Sequence, residues 1–387
     1  MNHSTRWLPT LTLALQALLW PALAAAAPFG NGQRYAEDGP FAVTKTELEI
    51  PVTGSTLQAA IWYPERTTAP VPLVIYSPGL GGTRAASAFL LHHLATYGFA
   101  VLAWDPRGED ESGYWQGAVT RQQDIRSLIS WAERTSAAGK LGVKLDLRRI
   151  GVAGHSSGGW SALIGGGARM DFRWCGAHPL ESETPGSDCA EFVPHAKDIA
   201  RRLGLKRVPT ALWPATNDRR VAAVLALAPD GDIWGDQYQG VAKLTVPTMV
   251  MCGTQDRSNS PEQSCYPVFE HLGSARRTLI KLKGADHGIF TDDCDGAGAG
   301  AGTGTGTGCE GGIAHRLIDS YATAFFLANL KRDAVATAML DRDANVASHQ
   351  TESLGYGSSE PQNGTETRES SSAAPIVESP SAQSSPP

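Results

Sequence analysis

The sequence predicts an α/β fold, with a mostly parallel central sheet and helices on both of its faces. Residues 71–76 and 99–104 consist almost entirely of apolar side chains, as do residues 150–153. Such runs are typical of strands that are buried on both faces of a sheet. Residues 85–97 and 120–134 have the periodicity of amphipathic helices and lie between these strands. Strands that alternate with helices form parallel sheets, so we expect their carboxyl ends to lie along one edge.

The segment around Ser156 has the pattern of a nucleophile elbow. Residues 154–158 read Gly-His-Ser-Ser-Gly; they follow the strand predicted at 150–153, and a helix is predicted from Gly158 to about residue 170. In such an elbow the tight turn strains the central residue and holds its side chain clear of the sheet, so glycine is needed on either side. Glycine and serine are frequent in this chain, and the motif alone is weak evidence. Its position between a strand and a helix makes Ser156 the candidate nucleophile.

A serine hydroxyl needs a base within hydrogen-bond reach and a carboxylate that orients that base. His287 is the candidate base, because it follows the last predicted core strand in a loop of small residues. Asp256 is the preferred acid, because it lies on the loop after the preceding strand. Asp230, with Asp232 close by, lies one strand earlier and stays open as the alternative acid.

The loop after the first buried strand could supply backbone hydrogen-bond donors. Residues 77–84 read Ser-Pro-Gly-Leu-Gly-Gly-Thr-Arg. Backbone N–H groups can reach a substrate oxygen only where bulky side chains are absent, and this glycine cluster meets that condition. We expect the N–H groups of Leu80 and Ser157 to form an oxyanion hole. The alternative is that the glycine cluster is simply a turn.

Four aromatic residues are candidates for a substrate pocket. Tyr114 and Trp115 lie in a loop predicted after the strand at 99–104, and Trp160 and Trp234 follow later in the chain. An aromatic side chain can line an acyl or alcohol site, but packing in the core or at its rim is the commoner role for any one of them. The sequence leaves both roles open.

The alternation of predicted strands and helices indicates a single domain over residues 40–332. Residues 171–219 interrupt it with two cysteines, several prolines and one predicted helix at 195–203. We interpret them as an insertion over the active-site face, either a partial lid or a long surface excursion. The other predicted elements are strands at 41–50, 57–63, 221–228, 246–251 and 278–282, and helices at 262–272 and 312–330.

The chain has six cysteines, all of them after the N-terminal segment. An even number in an exported chain indicates disulfides, whose connectivity a sequence does not determine. The simplest arrangement joins neighbours, namely Cys175 with Cys189, Cys252 with Cys265, and Cys294 with Cys309. The short Cys and His spacings typical of metal sites do not occur, so we expect no metal and no cofactor.

The N-terminus has the organisation of a signal peptide. Arg6 precedes an apolar run at residues 8–19, and small residues follow it. The run is shorter than the roughly 20 apolar residues of a membrane-spanning helix, and no later segment is long enough either. We therefore expect residues 1–26 to be removed and the mature chain to be secreted or periplasmic.

Two further regions are expected to lack regular structure. Residues 295–308 are Gly-Ala and Gly-Thr repeats, and glycine this dense resists both helix and strand. Residues 342–387 are rich in Ser, Glu, Pro and Thr and have too few apolar side chains to bury a core.

Together these motifs resemble the α/β-hydrolase superfamily. The segments that carry the resemblance are residues 77–84, 154–159, 217–229, 253–256 and 286–288. Within the superfamily the chain is most similar to bacterial exported esterases described as predicted dienelactone hydrolases. Those esterases are similar to platelet-activating-factor acetylhydrolases and, more distantly, to cutinase-like polyester hydrolases.

The resemblance implies an α/β-hydrolase fold and a serine carboxylic-ester hydrolase that acts on a small-molecule or polymeric ester without a cofactor. Two departures stand out: true dienelactone hydrolases have a cysteine where this chain has Ser156, and Pro78 stands where the oxyanion segment usually carries histidine. In the acetylhydrolases the acid follows the strand that ends near Ala228 here, which keeps Asp230 open. The same residues could serve an amidase, a peptidase or an acyltransferase, or form a binding module with an idle triad. The net charge of −6 does not favour a nucleic-acid partner.

Overall fold

The computed structural model describes residues 34–108, 114–178, 187–229, 233–292, 312–343 and 351–354. Several predicted features lie outside these residues. They are the signal peptide, the glycine-rich segment 295–308, Cys294 and Cys309, the alternative acid Asp230 with its neighbour Asp232, and most of the segment 342–387.

The described strands form one nine-stranded sheet. They are β1 (Val43–Val52), β2 (Ser55–Pro64), β3 (Val71–Ser77), β4 (Ala100–Trp104), β5 (Leu145–His155), β6 (Val221–Leu227), β7 (Thr248–Gly253), β8 (Arg277–Leu282) and β9 (Thr351–Leu354). Their order across the sheet is β1-β2-β4-β3-β5-β6-β7-β8-β9. All neighbours from β4 to β8 are parallel, and the pairs β1–β2, β2–β4 and β8–β9 are antiparallel. The prediction of a mostly parallel sheet is confirmed.

The helices lie on both faces of this sheet. They are α1 (Ala88–Thr96), α2 (Tyr114–Ala137), α3 (Ser157–Gly166), α4 (Arg173–Ala177), α5 (Asp188–Phe192), α6 (Ala196–Arg202), α7 (Cys265–His271), α8 (Ile313–Phe326) and α9 (Ala334–Asp343). Short 3₁₀ turns cover Val193–His195, Asp236–Tyr238, Val241–Lys243 and His287–Phe290, and a π-helical turn, Leu327–Lys331, extends α8.

Two apolar cores result, one on each face. Strand β3 is buried along its whole length; Leu73 and Ile75 belong to one core, and Val74 and Tyr76 to the other. This division follows from the alternation of side chains along a strand. Helices α2, α3, α6 and α7 contribute to the first core, and α1, α8 and α9 to the second. The prediction of helices on both faces is therefore confirmed.

Helix α2 begins earlier than its sequence pattern predicts. Tyr114 and Trp115 were expected in a loop, but they form the first turn of α2. Trp115 is buried and its ring stacks on that of His195, with 4.5 Å between ring centroids. This packing against a segment far along the chain explains why local periodicity placed the start of the helix too late.

The described part of the insertion at 171–219 is packed against the domain. Phe192, Ile199 and Trp213 are buried in the same core as Leu128 of α2. A disulfide joins Cys175 to Cys189 across this segment, and a second joins Cys252 to Cys265. These two pairs confirm the nearest-neighbour pairing among the described cysteines.

The described residues beyond 332 are also part of the folded structure. Ala336 and Met339 of α9 are buried, and Thr351–Leu354 pairs antiparallel with β8. The prediction that the chain is unfolded from residue 342 is therefore wrong for the strand at 351–354, which covers an edge of the sheet that would otherwise be open. No helix in the described part of the chain is long and apolar enough to cross a membrane.

Candidate active site

Ser156 occupies a strained turn between β5 and α3. Its backbone has φ 56° and ψ −125°, in a region that residues with a side chain seldom adopt. The Ser156 N–H donates to the carbonyl oxygen of Leu227 at 2.9 Å, and the Trp160 N–H donates to the carbonyl oxygen of Ser156 at 3.0 Å. These two hydrogen bonds hold the strained residue from both sides. Strand, turn and helix are arranged as in the predicted nucleophile elbow.

The glycines of the motif are required by their surroundings. A Cβ atom on Gly154 would lie 2.2 Å from the carbonyl oxygen of Gly158, and one on Gly158 would lie 2.0 Å from the carbonyl oxygen of Ser77. Backbone atoms cannot move away at little cost, as the end of a flexible side chain could. The two positions therefore exclude any residue larger than glycine, which is the steric reason for the spacing seen in the sequence.

The loops after β7 and β8 bring the preferred acid and base together. His287 Nδ1 lies 2.7 Å from Asp256 Oδ2, and the Asp256 side chain is almost completely buried. The other carboxylate oxygen accepts hydrogen bonds from the N–H groups of Ser258 and Asn259 at 2.9 and 2.8 Å. With Asp256 ionised, Nδ1 carries the proton of this pair and Nε2 is left as the basic nitrogen.

The two loops are also joined through their backbones. The Gln255 N–H donates to the carbonyl oxygen of Ala285 at 2.9 Å. Gly253, at the end of β7, lies so close that a Cβ atom there would be 2.4 Å from the same oxygen. The separation between Asp256 and His287 is therefore set by backbone contacts and does not depend on their side chains alone.

Ser156 and His287 are not joined by a hydrogen bond in this structure. Among the described residues, Ser156 Oγ has no hydrogen-bond partner, and the Ser156 side chain is partly exposed to solvent. Hydrogen bonds between nucleophile and base are often long in the absence of substrate and shorten when it binds. His155, the neighbour of Ser156 in the chain, contacts His287, so the two candidate residues lie in the same part of the structure.

His155 is a residue whose contribution the sequence did not indicate. Its buried ring lies 4.6 Å from that of His287, measured between centroids. Burial, followed by the charge of His287, lowers the pKa of His155 well below its ordinary value. His155 is thus neutral, and Nε2 donates to the backbone carbonyl oxygen of His287 at 3.0 Å.

The predicted oxyanion loop approaches Ser156 at Gly79. A Cβ atom on Gly79 would be 3.6 Å from Ser156 Cβ. The Gly82 N–H donates to the carbonyl oxygen of Gly79 at 3.1 Å and closes a tight turn, in which Gly81 has φ +67° and so needs to be glycine. Among the described residues the Leu80 N–H has no acceptor, so it is available to a substrate oxygen.

The four pocket candidates are largely packed inside the protein. The rings of Trp160 and Trp234 are buried and lie 6.1 Å apart between centroids; Trp160 also packs on Phe192. Tyr114 is half-buried, and its hydroxyl donates to Asp188 at 3.3 Å. Core packing, one of the two roles left open by the sequence, describes the three tryptophans here. Among the described residues, no group of three or more His, Cys, Asp or Glu side chains could hold a metal ion.

The first part of the chain matches a known family. Residues 27–182 match a family model described as PET hydrolase-like. Proteins of this family have an α/β-hydrolase fold, and the sheet and helices of this chain have that fold. The matched segment includes the loop at 77–84 and the elbow at Ser156, while Asp256 and His287 lie beyond it.

Two curated proteins are similar in sequence to this chain. They are the cutinases est1 and est2 of Thermobifida alba, each 27% identical over 155 residues. The match covers 38% of this chain, and 50% and 49% of the two relatives, so the chain spans about half the length of the curated relatives that it matches. These similarities confirm the resemblance to cutinase-like hydrolases.

Proposed function

We propose that this protein is a serine carboxylic-ester hydrolase that works through an acyl-enzyme on Ser156. The observation that carries the proposal is the 2.7 Å hydrogen bond between His287 Nδ1 and the buried carboxylate of Asp256, next to a strained serine elbow. A buried aspartate that fixes the imidazole in this way is the means by which a serine is activated in hydrolases of this type. The names of the two relatives, both cutinases, support an ester rather than an amide substrate.

The reaction follows from these positions. Ser156 Oγ attacks the carbonyl carbon of the ester while His287 Nε2 takes the hydroxyl proton. The negative charge that develops on the carbonyl oxygen is stabilised by the Leu80 and Ser157 N–H groups. The tetrahedral intermediate then collapses, the bond to the alcohol breaks, and His287 gives its proton to the leaving alcohol. Asp256 stays ionised throughout and holds the imidazole in one tautomer.

Water completes the cycle. His287 Nε2 takes a proton from a water molecule, whose oxygen attacks the acyl carbon bound to Ser156. The second tetrahedral intermediate collapses, His287 returns the proton to Ser156 Oγ, and the carboxylic acid leaves. Atoms and protons balance without a cofactor or a metal.

The accessibility of the site supports a small-molecule or a polymeric ester as the substrate. Ser156 and His287 are partly exposed, and the apolar side chain of Leu80 is 38% exposed beside them. A chain segment of a polymer could approach such a site from solvent without entering a closed cavity. The apolar surface of Leu80 would favour an apolar acyl group at this position.

We further infer that the protein acts outside the cytoplasm. Its N-terminus has the pattern of a signal peptide, and the described part of the chain contains two disulfides. Disulfides persist in oxidising compartments. N-terminal sequencing of the protein recovered from its native location would test this inference, and a first residue near position 27 is the expected result.

A fluorophosphonate probe, which phosphonylates an activated serine and releases fluoride, tests the proposed function. Intact mass and peptide mapping of the disulfide-intact protein should show one adduct, on Ser156. Ser156→Ala should not be labelled, while Ser161→Ala, which removes another hydroxyl of α3, should be labelled like the wild type.

The same assay decides which acid acts. Asp256→Asn should be labelled far more slowly than the wild type, and Asp230→Asn at the wild-type rate. Folded protein without an adduct on Ser156 would contradict the proposed function. A slow rate in Asp230→Asn alone would replace the acid and leave the rest of the mechanism.

A further inference from the structure

A buried arginine lies beneath the oxyanion loop. Arg121 of α2 is only 1% exposed. Its Nη1 donates to Ser77 Oγ at 2.7 Å and to the carbonyl oxygen of Pro78 at 2.6 Å, and its Nη2 donates to the carbonyl oxygen of Gly79 at 3.0 Å. One guanidinium group thus binds three consecutive residues at the point where β3 ends and the oxyanion loop begins.

The contact with Gly79 fixes the direction of the Leu80 N–H. The carbonyl of Gly79 and the N–H of Leu80 belong to the same peptide group, which is planar and trans, so they point in opposite directions. The carbonyl oxygen is held by Arg121 and by the Gly82 N–H. The Leu80 N–H must therefore point away from Arg121. A Cβ atom on Gly79 would lie 3.6 Å from Ser156 Cβ, and we infer from this proximity that the Leu80 N–H faces the side on which the reaction takes place.

The charge of the guanidinium adds to this effect. A cation that binds a carbonyl oxygen polarises the whole peptide group and makes its N–H a stronger donor, and the effect is greater in a buried, low-dielectric position. Arg121 would thus strengthen the hydrogen bond from Leu80 to an oxyanion without touching the substrate.

We propose that Arg121 is a positioning residue that holds and polarises the Gly79–Leu80 peptide of the oxyanion hole. The proposal rests on the proposed function, because it assigns Leu80 to the stabilisation of the tetrahedral intermediate. It predicts that changes at Arg121 act on the rate of acylation and deacylation and leave the binding of the ester ground state nearly unchanged.

Two variants of Arg121 test the proposal. Arg121→Lys keeps the positive charge but lacks the planar fork that binds three acceptors at once, and Arg121→Gln removes the charge. Arg126→Gln is the matched control, since Arg126 is on the same helix and binds the Thr216 carbonyl oxygen of the insertion at 2.7 Å. Each protein is assayed with 4-nitrophenyl acetate and with the corresponding thionoester, whose sulfur is a weak hydrogen-bond acceptor.

The two substrates separate positioning from a general structural effect. We expect kcat for the oxygen ester to fall about 10- to 100-fold in both Arg121 variants, with little change in KM. This decrease is no larger than the decrease in kcat expected when one oxyanion donor is removed. The thionoester depends much less on the Leu80 N–H, so its rate should fall far less. Arg126→Gln should resemble the wild type with both substrates.

Three results would overturn the proposal. Equal losses with both substrates, accompanied by a lower Tm, would show that Arg121 only maintains the fold. Unchanged kcat in both variants would show that the loop does not need Arg121. A higher KM with unchanged kcat would show that Arg121 acts on substrate binding. If the wild-type protein hydrolyses neither substrate and Ser156 is not labelled by the fluorophosphonate, the proposed function itself fails, which is a different outcome from any of these.

Discussion

His155 Nε2 donates a hydrogen bond to the backbone carbonyl oxygen of His287 at 3.0 Å. The residue next to the candidate nucleophile on β5 therefore holds the loop that carries the candidate base, although the two residues are 132 positions apart in the chain. Strands β6 and β7 lie between β5 and β8 in the sheet. The contact therefore joins the end of β5 to the loop that follows β8, although β6 and β7 separate these two strands. We expect the relative position of Ser156 and His287 to depend on it.

Replacement of His155 should impair catalysis. In His155→Phe the ring is retained but its donor is lost, so the His287 loop is no longer fixed. A small displacement of a catalytic group can cost up to about 100-fold in rate, and we expect kcat to fall between about 10- and 100-fold. His155→Gln keeps an N–H donor and should recover part of the loss. Steady-state kinetics with a short-chain 4-nitrophenyl ester measures both; equal kcat in His155→Phe and the wild type would refute the prediction.

His155 should also make the stability of the fold dependent on pH. Burial lowers its pKa in the folded state, whereas an unfolded histidine has a pKa of about 6.5. Below that pH the unfolded chain takes up a proton that the folded protein resists, so the free energy of unfolding falls as the pH decreases. Above about pH 6.5 both states are neutral at this position, and the contribution no longer changes.

Urea unfolding between pH 7.5 and 5 provides the measurement, with tryptophan fluorescence as the probe. Over the acidic part of this range the wild type should lose up to about 1.4 kcal/mol more per pH unit than His155→Gln. The pKa of His93 is also lowered, mainly by burial, but His93 is present in both proteins and its effect cancels in the comparison. Parallel pH profiles would show that His155 is not the group responsible.

Much of the candidate site could be predicted because its residues follow a short motif and apolar runs that are local in the chain. The motif predicted glycine at 154 and 158; a Cβ atom at 154 would meet the Gly158 carbonyl oxygen within the same turn, whereas the atom that excludes a side chain at 158 is the Ser77 carbonyl oxygen at the end of β3. The buried strands are visible as apolar runs because a parallel sheet covered on both faces needs apolar side chains in both directions. The preference for Asp256 over Asp230 rested on loop positions, and the structure places Asp256 against His287.

The remaining features depend on contacts between distant segments. The roles of Arg121 and His155 come from side chains that meet backbone atoms 42 and 132 residues away. No periodicity in either segment records such a partner. For the same reason the start of α2 at Tyr114 was placed too late, since the stacking of Trp115 on His195 stabilises its first turn.

Gly158 should be essential to the fold. A Cβ atom in Gly158→Ala would meet the Ser77 carbonyl oxygen at 2.0 Å and force the elbow away from β3. We expect a loss of about 3 kcal/mol or more in the free energy of unfolding, or failure to fold. Gly176→Ala in α4 is the control, because a Cβ atom there has no heavy atom within 4 Å and alanine favours a helix. Equal stability of the two variants would show that the elbow can relax.

The two disulfides should differ in their effect on activity. Their cysteines are 14 and 13 positions apart, and closing a loop of that size stabilises a protein by roughly 3 kcal/mol in the chain-entropy description. Cys252–Cys265 closes the segment that contains Asp256, whereas Cys175–Cys189 closes part of the insertion. Removal of either pair by alanine should lower the stability by a similar amount. Only Cys252→Ala/Cys265→Ala should also lower kcat at a temperature where both variants are folded, since the Asp256 loop then loses its covalent closure. Thermal unfolding and ester hydrolysis are measured for both double variants, and each is the control for the other. Equal kcat in the two would contradict the prediction. It would mean that the backbone contact between Gln255 and Ala285 holds the Asp256 loop without the disulfide.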